Sequence, residues 1–104
     1  SNVQAALTYL ADDPHPVAVA VKLVSDAENE CDATFARVYL AASGGAEIRK
    51  QIAADHPDVK AAKAALAVAK HELQRHRSRV HAADSLLEIF RTENANARAA
   101  ERIR

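Results

Sequence analysis

Five histidines, one cysteine and a set of carboxylates are the groups in this chain of 104 residues that could do chemistry. The most suggestive run is His71-Glu72-Leu73-Gln74-Arg75-His76. It has the residue types of a metalloprotease helix, two histidines for zinc and a glutamate as general base. The spacing does not serve that chemistry. Two histidines share a helix face when four apart, and at five apart they diverge by about 140°. His81 comes five residues later and turns further away, and no Asp, Glu or Cys converges on the group. The expectation is therefore no metal and no cofactor. His71 and His81 belong in solvent and His76 on a packed seam. Cys31 lies between Glu30 and Asp32, whose charges disfavour a thiolate, so it reads as a small core residue and not a nucleophile. A glycine-rich phosphate loop, a nucleophile elbow and a carboxylate pair over a cleft are all lacking, so the chain is expected not to be an enzyme.

His56-Pro57-Asp58 is the tripeptide that J-domain co-chaperones carry between two helices. Here the helix before it spans only about two and a half turns, and no earlier helix is placed to pack on it. A proline-started helix with an acidic first turn accounts for the same three residues.

The basic residues form a second candidate site. Lys70, Arg75, Arg77 and Arg79 make a band, and Arg91, Arg98, Arg102 and Arg104 a basic end. Such a helix could follow the phosphates of a nucleic acid. Glu72, Asp84, Glu88, Glu93 and Glu101 are mixed in, and no aromatic residue stands between the basic ones for base stacking. Net charge is zero, yet residues 1–45 hold two basic and six acidic side chains, and residues 46–104 twelve and eight. An acidic arm lying along a basic arm is the simplest reading.

These residues need elements to position them, and the dominant one is a helix over 58–103. With Val59 at heptad position a, that column carries Val59, Leu66, Leu73, Val80, Leu87 and Asn94. Column d carries Ala62, Ala69, His76, Ala83, Phe90 and Ala97. Five apolar residues at strict seven-residue spacing, with no Pro or Gly, predict a coiled-coil helix roughly 70 Å long. Val3, Ala6, Leu7 and Leu10 predict a short amphipathic helix over 2–11. Asp13-Pro14 reads as an N-cap and first helical residue, opening a first arm over 14–43. Its seam is Val17, Val21, Val24, Glu28, Cys31, Phe35, Val38 and Ala42, and Gly44 is the left-handed cap. A short helix over 46–55 connects the arms.

The composition agrees with an all-α, single-domain chain over 1–104. It contains 25 alanines, two glycines and four aromatic residues, so close helix packing must replace bulky core residues. A connector of about 14 residues folds the arms antiparallel. The fold expected is an elongated, coiled-coil-like helical hairpin with a short N-terminal helix. A bend near residue 50 sets Val38 near Lys63 and Glu28 near His76, a charge and a titratable ring that would pair across the seam. It also sets the bulky residues of the first arm against Ala62, Ala69 and Ala83. The N-terminal helix would place Leu7 and Leu10 against Phe90 and Ala97.

The segment Thr34–Gly45 (TFARVYLAASGG) followed by Glu47 and Arg49-Lys50, with Asn94-Ala95-Asn96 near the end of the long helix, resembles small helical proteins of actinobacterial phages and prophages. The resemblance covers roughly residues 17–100. It implies an accessory protein encoded near recombination or replication genes, and carries over no catalytic residue.

The function expected is a structural or protein-interaction module, the alternative a nucleic-acid-binding accessory protein using Lys70, Arg75, Arg77 and Arg79. Leu86, Leu87, Ile89, Phe90, Asn94, Ala97 and Ile103 form an apolar arc wider than one seam, with Asn94 able to set register. It is expected to make the protein a homodimer or higher oligomer, paired into a helical bundle, with an unknown further protein partner. A lone cysteine, no signal-peptide pattern and no long apolar run lead to a cytoplasmic, non-membrane protein.

Overall fold

The structure is a computed structural model and describes residues 1–103; Arg104, the last of the basic end, lies outside them. The described residues form four α-helices and no strand: α1 (Asn2–Leu10), α2 (Pro16–Ala41), α3 (Ala46–Asp55) and α4 (Pro57–Ile103). The molecule is the expected elongated antiparallel hairpin, 85 × 23 × 16 Å.

Each reversal of the chain has a local cause. The two long helices start the same way, with a His-Pro pair. His15 precedes Pro16 and His56 precedes Pro57, and each ring accepts a backbone N–H two residues on at 3.0 Å through Nδ1. Proline at the first helical position supplies the right φ and lacks an N–H that would go unpaired. The ring replaces the Asp or Ser usual at an N-cap, and Nδ1 must be unprotonated to do so. The helix start expected at Asp13-Pro14 therefore moves to His15-Pro16. α2 is capped at Ala42, and Gly44 follows with φ +113°, a conformation that L side chains rarely adopt. A Cβ there would stand 3.2 Å from Cγ2 of Ile48.

The heptad reading of α4 holds for nine successive seam positions. Val59, Ala62, Leu66, Ala69, Leu73, His76, Val80, Ala83 and Leu87 are all buried or half-buried. On α2 only one column is as expected. Val17, Val24, Cys31 and Val38 face inward, but the second column is Ala20, Ala27 and Thr34. Val21 and Glu28 are exposed, and Phe35 lies half-buried on the flank. Turning the small residues inward lets the backbones approach closely and leaves Glu28 hydrated, which avoids the cost of burying a carboxylate.

The register is one turn shorter than expected, because Val38 packs on Val59 and not near Lys63. Arg37 meets Asp58 at 3.2 Å in the same register. Large residues thus meet large ones across the seam, as Val38 and Val59 do, while Ala20, Ala27 and Thr34 supply the close contacts. At this end, the head, α3 closes over the hairpin. Ala53 and Val59 are 0% and 1% exposed. Phe35 and Tyr39 stack beside them with ring centroids 6.3 Å apart, and the Arg49 guanidinium lies 5.7 Å from the Tyr39 ring.

Candidate interaction surface

α1 lies on α4 beyond the start of α2 and continues its line. The face it buries is Val3, Ala6, Tyr9 and Leu10, packed on Val80, Ala83, Leu86 and Leu87. Leu7, expected inside, is 46% exposed, and Tyr9 takes its place at 7%. Both choices satisfy helical spacing from Val3 and Ala6. Tyr9 wins because it buries a large ring and still finds partners for its hydroxyl. The hydroxyl donates to the His76 carbonyl at 3.3 Å and lies 3.4 Å from His76 Nδ1. The Arg79 guanidinium caps the ring at 4.1 Å, and His15 meets it edge-on at 5.1 Å. The Glu28–His76 pairing is overturned by the same geometry: His76 engages Tyr9, and Glu28 faces solvent.

This docking divides the expected association surface. Leu87 is buried and Leu86 half-buried beneath α1, so these two serve the chain's own fold and not a second molecule. The expected packing of Leu7 and Leu10 on Phe90 and Ala97 does not form: Leu7 is exposed and Leu10 packs with Val80 to Leu87. Ile89, Phe90, Asn94, Ala97 and Ile103 remain exposed. Every described residue from 88 onward is exposed, yet the segment stays helical. Sixteen residues at about 1.5 Å each make an overhang of roughly 24 Å, the tail. Ile89 and Phe90 are 57% and 41% exposed at its base. Thr92 returns its hydroxyl to the Glu88 carbonyl at 3.0 Å, and Arg91 reaches Glu88 at 4.0 Å.

The four basic residues chosen as a polyanion band do not gather on one surface. Lys70 and Arg77, seven apart, share one flank of α4, and Arg75 and Arg79, four apart, share another. Arg75 pairs with Glu72 at 3.0 Å and Arg79 covers Tyr9. Lys63 extends the first flank by one further heptad. Cys31 is a free thiol, half-buried on the seam. His71 and His81 are exposed, and among the described residues no three His, Cys, Asp or Glu side chains stand together as metal ligands.

Sequence reasoning missed Tyr9, and it missed that Leu40, Ile48 and Ile52 near the head are left exposed. The signal for Tyr9 was its spacing of three from Ala6 and six from Val3. Among the described residues no helix is long and apolar enough to cross a membrane. Compared with family models, curated proteins and solved structures, the chain finds no match.

Proposed function

We propose that this protein is a non-enzymatic structural and interaction module of the cytoplasm, which pairs with a second copy through the C-terminal third of α4 and engages a further protein partner. A phage or prophage accessory protein, the role implied by the resemblance over residues 17–100, suits such a module. The observation that supports the reading is the tail: a helix carried roughly 24 Å past its last buried residue, Leu87, with Ile89 and Phe90 exposed at its base. Large apolar side chains at the root of a rigid projection favour association. Light scattering at tens of micromolar tests it. The mass should be twice the 11.2 kDa of one chain, and Phe90→Glu with Ala97→Glu should return it to one. A wild-type monomer at that concentration overturns the reading.

The second reading is nucleic-acid binding, favoured by Lys63, Lys70 and Arg77 recurring every seven residues along one flank of α4. Phosphate contacts of this kind weaken steeply with salt. Titration of duplex and single-stranded DNA at about 50 mM and 200 mM salt decides it; no binding at the lower salt removes the reading.

A further inference from the structure

We infer that the flank of the hairpin opposite the Arg37–Asp58 ion pair is a groove for an acidic amphipathic helix of another protein, whose carboxylates, recurring every seven residues, meet Lys63, Lys70 and Arg77 while an apolar side chain enters the pocket beside Arg77. This rests on the protein-partner reading above and names the chemistry of that partner.

Heptad positions place the groove. Arg37 and Asp58 each stand one residue before an inward residue, Val38 and Val59, and their 3.2 Å contact marks one flank of the antiparallel pair. The other flank is then made by the residues four after each inward one. On α2 these are Val21, Glu28 and Phe35, and on α4 they are Lys63, Lys70 and Arg77. At the head this side is closed, because Phe35 and Tyr39 pack against the cluster of Val38, Ala53 and Val59 to which α3 contributes. At the other end Leu10, Val17 and Val80 line a shallow pocket of about 370 Å³ together with His15 and Arg77. Between the two ends lie about 21 Å of α4, from Lys63 to Arg77. All three cations are exposed there, Val24 and Cys31 are half-buried, and Val21 is 44% exposed.

The charge on this flank selects the occupant. Its cations recur about every 10.5 Å, the repeat of a second helix read at every seventh residue. Among the described residues none of the three enters an ion pair. Lys60 stands beside Lys63, so four cations face the two carboxylates of the α2 side, Glu28 and Asp32. The phosphates of a nucleic acid would meet the cations and leave Val21 and the pocket uncovered, whereas an amphipathic helix covers both. A second copy does not supply that helix: no two of the fourteen carboxylate side chains of this chain stand seven residues apart. Each exposed ion pair is worth a few-fold in affinity, so apolar contact in the pocket holds the partner and the charges choose it.

The test titrates the full chain with a synthetic helical peptide of three heptads in which Leu and Glu each recur every seven residues, followed by fluorescence anisotropy at about 50 mM salt. Its controls are the same peptide with Lys for Glu, and duplex DNA. The expected result is binding of the acidic peptide alone. Lys63→Glu with Lys70→Glu should weaken it by about tenfold or more, and Val21→Ser a few-fold. Arg91→Glu, in the same column of α4 but beyond the pocket, should bind as the wild type does. Circular dichroism checks that these exposed substitutions keep the helices. Equal binding of the lysine peptide overturns the acidic partner and leaves helix docking in the groove standing. Binding of neither peptide overturns the groove as a protein-docking surface, and DNA binding lost with the same two lysines then assigns the column to phosphates. Self-association through the tail is decided separately, by the mass.

Discussion

The two ends of α4 are alike in composition and opposite in circumstance. At the head, Val59 is closed in by Val38 from α2 and Ala53 from α3. At the tail, Phe90 sits at a d position of the same heptad and is 41% exposed. The sequence around each is rich in alanine and charge. The difference lies in what reverses the chain. Before α4, Gly44 and the His56-Pro57 pair turn it twice within about a dozen residues and stack three helices on one spot. After Leu87 nothing turns it. Sixteen residues would be a marginal helix in isolation, but a helix extended from a packed body needs no new nucleus. Helical structure at the tail therefore says nothing about burial there, and stability should be concentrated at the head.

Substitutions can break that comparison, beginning with the largest effect. Val59→Ala should cost about 2–3 kcal/mol, since it opens a cavity in the most enclosed part of the fold; urea denaturation measures it, and a loss below about 0.5 kcal/mol would mean that the head is not the stable end. Tyr9→Phe keeps the ring and removes the hydroxyl that His76 engages. It should cost about 1 kcal/mol and speed amide exchange in α1 while leaving α3 unchanged. Equal acceleration in both helices would show that α1 is part of one cooperative unit with the head.

Gly44→Ala acts on the turn that builds the head. Positive φ and the 3.2 Å approach to Ile48 predict a loss of roughly 1 kcal/mol. Gly45→Ala, with open space around its Cβ and no positive φ, provides the control and should be near neutral. At the bottom of the scale, Phe90→Ala should change the unfolding free energy measured on dilute monomer by under about 0.5 kcal/mol, while lowering the concentration-dependent association. A loss like that of Val59→Ala in dilute protein would place Phe90 inside the folded monomer.

Much of this architecture was legible because it follows from spacing and from Pro and Gly. The a column of α4 from Val59 to Leu87 is apolar at every seventh residue, and no other element type has that period. Val17, Val24, Cys31 and Val38 mark the partner column on α2 in the same way. Gly44 needed a left-handed conformation, and Pro57 needed a first helical turn. The long α4 and the antiparallel return were therefore determined by the sequence by itself, whereas the packing of the N-terminal helix on Phe90 and Ala97 that the spacing suggested did not form.

What the sequence left open were choices between equally periodic alternatives. Val21 with Glu28 and Ala20 with Ala27 both complete a three-four alternation with Val17 and Val24. Leu7, four from Val3, and Tyr9, three from Ala6, both lie at helical spacing from the first residues of α1. A His-Pro pair and an Asp-Pro pair stand two residues apart, and either can start a helix. Helical spacing cannot separate these, because each is decided by the distance at which two helices meet. Close approach selects Ala20, Ala27 and Thr34 over the bulkier column, and the register that follows sets Val38 on Val59. α1 can then reach His76 and Arg79, which makes Tyr9 its inward residue. A backbone separation belongs to a pair of helices and not to either one, so only the tertiary structure could fix it.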